Sequence, residues 1–257
     1  IWVCLIKLMV KIVMTLLPDG KKGVEDPGSP IYLDENIISQ PAAALQLVAK
    51  EIFRMSDQVR DILKKTIELV KNEEVKSIDG LKENGEQVER LGKCITEYLA
   101  ALFSSGSLTE QQAAQTASLM CVLSDVERMG TLSVEMAECM LERSDRKYKY
   151  TPEAMDELQK SLKVLNKMFC DSLKALQGDD GIEPGKMMKR KDKLLDLDIK
   201  MRKAHIERVN KGKCKASLTA PFTNILHLID RMGNSCINLA DVAESGTSMK
   251  YFMLENK

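Results

Sequence analysis

A chain of 257 residues is long enough for one large domain or for two bundles of about 100 residues each. Lys plus Arg and Asp plus Glu both number 38, so no overall basic field exists and nucleic acid is not expected as a partner. Aromatics are only 4% of the chain while methionines number 15, a balance that disfavours sheets and predicts an all-α fold packed through flexible aliphatic side chains.

The chain opens at Ile1 without an initiator Met and reads as a piece cut from a longer protein. Its first seventeen residues, Ile1 to Leu17, are apolar apart from Lys7, Lys11 and Thr15. As a helix this stretch is about 25 Å long, short of the roughly 30 Å of a bilayer core, so it is expected to be the end of a membrane helix or a helix lying on the membrane surface. Charge follows the apolar run instead of preceding it, unlike a signal peptide, and places the exit on the cytoplasmic side. Pro18-Asp19-Gly20 ends the segment, and residues 18–40 are expected to form a linker.

Leu45, Val48, Ile52, Met55, Val59, Ile62, Thr66 and Leu69 alternate steps of three and four, the seam of a first helix. Leu81, Val88, Leu91, Ile95, Tyr98 and Leu102 mark a second, weakened by Gly85 and Gly92. Ser107-Leu108-Thr109-Glu110 reads as a capping box opening a third, which continues through Leu119, Val122, Val126, Met129, Met136 and Met140. These three helices form one bundle over residues 41–143, and the pattern then repeats over 144–248. Thr151-Pro152 starts the fourth helix, Gly178-Asp179-Asp180-Gly181 ends it, Met187 to Val209 supplies the fifth, and Ile225 to Val242 the last, with Pro221 inside it or just at its start. Residues 249–257 are expected to fray.

The repeat is visible in words as well as in period. Glu127-Arg128-Met129-Gly130 in the third helix returns as Asp230-Arg231-Met232-Gly233 in the sixth. Lining up the repeats places Glu86 and Glu89 with Asp192 and Leu195, and Glu127, Thr131 and Glu135 with Asp230, Asn234 and Asn238. Spacings of three and four put each set on one helical face, where inward-pointing carboxylates hold a cation and outward-pointing ones are solvated partners of lysine and arginine. Solvated acids are the commoner outcome for such a pattern.

Seven cysteines, among them Cys4, have neither metal nor disulfide spacing and are expected to be reduced, mostly buried and inert. Two histidines, His205 and His227, stand beside no recognisable nucleophile, and no Gly-rich phosphate loop occurs, so catalysis is not expected. Arg202, His205 and Arg208 cluster on the fifth helix as a candidate phosphate or anion contact, set against an ordinary solvated basic face. His227, next to Leu228-Ile229, reads as structural. Lys186 to Lys191 is a basic run that suits an anionic membrane surface, again against a plain solvated helix start.

Tyr32-Leu33-Asp34, Pro41-Ala42-Ala43-Ala44-Leu45, Arg54-Met55, Ile95-Thr96-Glu97-Tyr98-Leu99, Arg202-Lys203-Ala204-His205-Ile206-Glu207-Arg208 and the two Glu/Asp-Arg-Met-Gly motifs, in this order, resemble the cytoplasmic PhoU-like tail of bacterial sodium/phosphate cotransporter family proteins. The apolar start ending Leu16-Leu17-Pro18 resembles the last part of that family's membrane domain. The resemblance implies a tandem pair of three-helix bundles on the cytoplasmic side of the bacterial plasma membrane, regulating a sodium-dependent phosphate transporter attached in cis. A homodimer is a separate expectation, which the resemblance does not carry. A free or membrane-tethered adaptor in phosphate signalling and a metal-cluster bundle are the alternatives. The family's metal motif is an acid followed four residues later by Asp in both third helices, holding iron or zinc in some members. Glu127 and Asp230 keep the first place, but Thr131 and Asn234 stand at the second and Leu195 removes a further ligand. Fewer negative charges weaken hard-cation binding. Metal binding is therefore expected to be weak or lost, with Glu86, Glu89, Glu127, Asp192 and Asp230 as the remaining ligands.

Overall fold

The computed structural model describes residues 26–71, 75–145, 149–178 and 185–244. Six α-helices and two short 3-10 turns carry the described chain: α1 Pro41–Lys71, α2 Asp79–Ser104, α3 Glu110–Asp145, α4 Pro152–Leu176, α5 Lys186–Asn210 and α6 Thr219–Glu244. The described residues include no strand, as the composition predicts. Each seam read from the sequence is the buried face of its helix: Leu45, Val48, Ile52, Met55, Val59 and Ile62 in α1 and Leu158, Leu162, Leu165, Met168 and Phe169 in α4 are solvent-excluded.

Contacts run α1 with α2 and α3, and α4 with α5 and α6, so each half is a three-helix bundle. The halves are not separate beads. α3 packs along α6 and α1 along α4, giving a central four-helix layer covered by α2 on one half and α5 on the other. Asp125 meets Asn238, Glu135 meets Arg231 and Cys139 meets Asn224, pairs that run in opposite directions along the two helices, so α3 and α6 are antiparallel. Among the described residues no helix is long and apolar enough to cross a membrane. The opening segment of residues 1–17, the first part of the predicted linker, the 179–181 turn and the tail from 245 onward lie outside the described residues.

Three local expectations are corrected. The stretch 26–40 is docked to the bundle. Buried Glu51 accepts hydrogen bonds from the Ile31 and Tyr32 amides at 2.9 and 2.7 Å and holds Arg54 at 2.5 Å, while Arg54 donates to the Pro27 and Ser29 carbonyls. Tyr98 Oη donates to the Asp34 carbonyl. The cap of α3 lies two residues beyond the predicted box: the Thr109 amide donates to Gln112 Oε1 at 3.0 Å and the Gln112 amide to Thr109 Oγ1 at 3.2 Å. The cysteines are free, but of those described only Cys214 and Cys236 are buried, and Cys121 is exposed. At Thr151 the predicted cap forms, its hydroxyl accepting from the Ala154 amide.

Candidate functional site

The repeated motif has a packing reason and an electrostatic one. Met129 and Met232 are fully buried between the halves, and Ser133 Oγ, which donates to the Met129 carbonyl, lies 3.8 Å from the Met232 sulfur. The glycines let helices close in. A Cβ on Gly130 would lie 3.3 Å from γ-methyls of both Val59 and Val88, and one on Gly233 would lie 3.3 Å from Lys191 Nζ.

In the first half, α2 and α3 form a groove lined by Glu86, Glu89, Arg90, Lys93, Thr96, Glu97 and Glu127. Glu127 is half-buried at its floor. Gly92, fully packed beneath it, leaves the space its carboxylate occupies, since a Cβ there would stand 3.3 Å from Glu127 Oε2. Burial first, and the negative charge of Glu89 second, push the Glu127 carboxyl above the usual carboxylate range. Thr131 spends its hydroxyl on the Glu127 carbonyl at 3.3 Å and stays at the surface, so it adds no donor to the groove.

The second half is built differently at the same place. Lys191 Nζ reaches across from α5 and donates to Asp230 Oδ1 at 2.5 Å and to the Asp230 carbonyl at 3.1 Å. Asn234 Nδ2 donates to the other Asp230 oxygen at 3.4 Å. A tethered ammonium thus sits on the acid. Asp192 and Leu195 are exposed on α5.

The five acids read as metal ligands therefore do not converge: Glu86, Glu89 and Glu127 share one groove, Asp230 is neutralised by Lys191 in the other half, and Asp192 stands exposed on α5. Among the described residues no three His, Cys, Asp or Glu side chains come together in a way that could hold a metal ion. The donor set does not fit an iron or zinc cluster spanning both halves, because Lys191 already supplies positive charge at Asp230.

The three residues read as an anion contact on α5 each have a partner within the protein. Arg208 makes a two-pronged contact with Glu157, at 3.2 and 3.0 Å, and Arg202 bonds Asp198 at 2.7 Å. His205 is buried and faces inward, stacked on Phe222 with ring centroids 4.6 Å apart, its Nε2 3.1 Å from Thr219 Oγ1. Burial and the Arg208 charge hold its pKa below the ordinary histidine value, so the ring is neutral. The basic arginines on either side masked the seam Met187, Leu194, Met201, His205, whose steps of seven and four were the signal for an inward ring. His227 is exposed, not structural. In the basic run, Arg190 is paired with Asp171 and Lys191 with Asp230, which leaves fewer charges for a membrane surface than the sequence count suggests.

A PhoU domain family model matches residues 52–140, from α1 through most of α3. The chain is PhoU-like. It is also 24% identical over 209 residues to the phosphate-specific transport system accessory protein PhoU homolog 1 of Thermotoga maritima, an alignment that covers 80% of this chain and 88% of the relative. That alignment is too long to sit in one bundle, so the PhoU-like character extends into the second half, beyond the residues that the family model matches.

Proposed function

We propose that this PhoU-like chain modulates phosphate transport, as the cytoplasmic regulatory part of a sodium-dependent phosphate transporter in the bacterial plasma membrane. The observation that carries the reading is the alignment, over most of both chains, with an accessory protein of a phosphate-specific transport system. The apolar start followed by lysines supports attachment to a membrane partner in cis. The module acts by binding and not by catalysis: His205 is enclosed against Phe222, and its neighbours Arg202 and Arg208 are engaged with carboxylates. A free or membrane-tethered adaptor is the second reading, favoured by the relative's being an accessory protein.

The test is deletion of residues 31–257 from the gene in its host, with uptake of radiolabelled phosphate measured in sodium and in choline at low and high phosphate supply. Sodium-driven uptake that persists but no longer adjusts to supply is the expected result. Uptake unchanged at every supply level overturns regulation, and a change confined to sodium-independent uptake selects the adaptor.

A further inference from the structure

Four of the eight large apolar side chains exposed among the described residues lie on one stripe of α5: Met188, Leu195, Ile199 and Ile206, each more than half exposed. With Asp192 and Arg202 they make a continuous line along the helix in steps of four, three, four, three and four, spanning about 27 Å. This is a heptad seam on which none of the described residues packs closely enough to bury it, about a third of a turn away from the buried face of Met187, Leu194, Met201 and His205. The fold itself does not ask for it. Aligning Glu86 with Asp192 also aligns buried Leu81, Val88, Ile95 and Leu99 of α2 with that buried face, and the α2 positions matching the stripe are then Lys82, Glu86, Glu89, Lys93, Thr96 and Ala100. The same outer face is polar in one half and apolar in the other.

The step pattern reads the same in both directions, which is what an antiparallel two-fold pairing requires. We propose that the stripe pairs with the α5 stripe of a second copy of this chain, antiparallel, about a two-fold axis that crosses the stripe between Leu195 and Ile199. In that register Met188 meets Ile206 of the second copy, Leu195 meets its Ile199, and Asp192 meets its Arg202, twice over by symmetry. Both charged members of the stripe thus find an opposite charge. A parallel pairing sets Asp192 against Asp192 and Arg202 against Arg202, and an anionic membrane leaves Asp192 repelled in the middle of the contact. Asp196, at the edge of the seam near the axis, faces its own copy and limits the affinity. A single helix pair is also small beside the roughly 800 Å² per partner of a standard interface, so the dimer is a weak one.

The experiment is sedimentation equilibrium of the full chain and of the charge-reversal variants D192R and R202D. Wild type shows a monomer–dimer equilibrium, and each variant alone, carrying like charges at both crossings, weakens it at least tenfold. An equimolar mixture of the two variants restores dimers, one chain of each kind, because the reversed charges then match. Association through any other surface is indifferent to this swap. Because Arg202 also bonds Asp198 in its own helix, thermal melts establish that each variant is folded, and recovery in the mixture cannot arise from unfolded chains. A wild-type chain that stays monomeric overturns the proposal, as do variants that associate as tightly as wild type or fail to recover when mixed. A monomer whose flotation with anionic phosphatidylglycerol vesicles is lost in the double variant L195E/I199E overturns it as well and assigns the stripe to the membrane, because flotation through residues 1–17 survives that change.

Discussion

Glu127 in α3 and Asp230 in α6 hold the same place in the repeated motif, and their surroundings are opposite in charge. Glu127 sits half-buried beside Gly92 and in the field of Glu89, in a groove whose acids are drawn from two helices. Asp230 carries the ammonium of Lys191 on its carboxylate. One half keeps a negative groove, whereas the other fills the corresponding place with a cation from its own chain. The difference teaches that a duplicated bundle preserves the packing part of a motif, the methionine and glycine, more strictly than its electrostatic part. Methionine and glycine are fixed by helix-to-helix distance, which one core imposes on both halves. The charge on the acid is set by a single neighbour on the covering helix, and one substitution changes it.

The largest expected effect lies where the halves differ most in how they hold the chain. Glu51 is buried in the first half and anchors residues 29–32 through two amides and Arg54. Glu51→Ala leaves those donors without their acceptor and is expected to lower stability by about 3 kcal/mol, read by urea unfolding. An unchanged midpoint would mean that the docked segment contributes nothing. The motif glycines give the next contrast. Gly130→Ala drives a methyl against the stiff branched side chains Val59 and Val88, whereas Gly233→Ala meets the movable end of Lys191. Overpacking outweighs helix propensity at the first site and not at the second, so G130A is expected to lose about 1 kcal/mol and G233A to gain about 0.5 kcal/mol. Equal effects in thermal melts would break the argument that the two glycines face different walls. Lys191→Met keeps the stem of the side chain and removes the ammonium. Because Asp230 is half exposed, its loss is expected to be only about 0.5–1 kcal/mol, and to fade in 1 M salt.

Much of this architecture was legible in the sequence, because seams of three and four depend only on which residues are apolar. The seams of α1 to α4 and α6, and the Thr151 cap, came from that rule and from local chemistry. The electrostatic pairings were not legible. Lys191 and Asp230 lie on different helices, and nothing in either sequence neighbourhood marks the other. Likewise Glu51 looks like one more acid on a helix until the chain at Ile31 and Tyr32 folds back over it. His205 was misread for a different reason: its flanking arginines dominate the local composition, although the seven- and four-residue steps from Met187 point inward. The apolar outer stripe of α5 was present in the letters too, hidden because the expected basic face occupies the same helix.

The smallest effects are the most discriminating, because they have opposite signs with pH. Glu127 has a raised pKa in the folded protein, so the folded state binds more protons than the unfolded chain over the window between the ordinary glutamate value and the raised one. Stability is therefore lost as pH rises through that window, and the penalty is complete above it. Glu127→Gln, which carries no charge, is expected to raise the melting temperature at neutral pH, with the gain vanishing below about pH 4.5, where the wild-type carboxyl is protonated in both states. His205 runs the other way. Its folded pKa is lowered, so the unfolded chain takes the proton first, and stability falls as pH drops below about 6.5. His205→Gln, neutral throughout, removes that loss. Melting curves of wild type and the two variants between pH 4 and 8 separate the contributions: acid relieves the first half and strains the second. A Glu127→Gln protein no more stable than wild type at pH 7 would show that the groove supplies the carboxylate with a compensating positive charge, with Arg90 and Lys93 the first residues to replace in search of it.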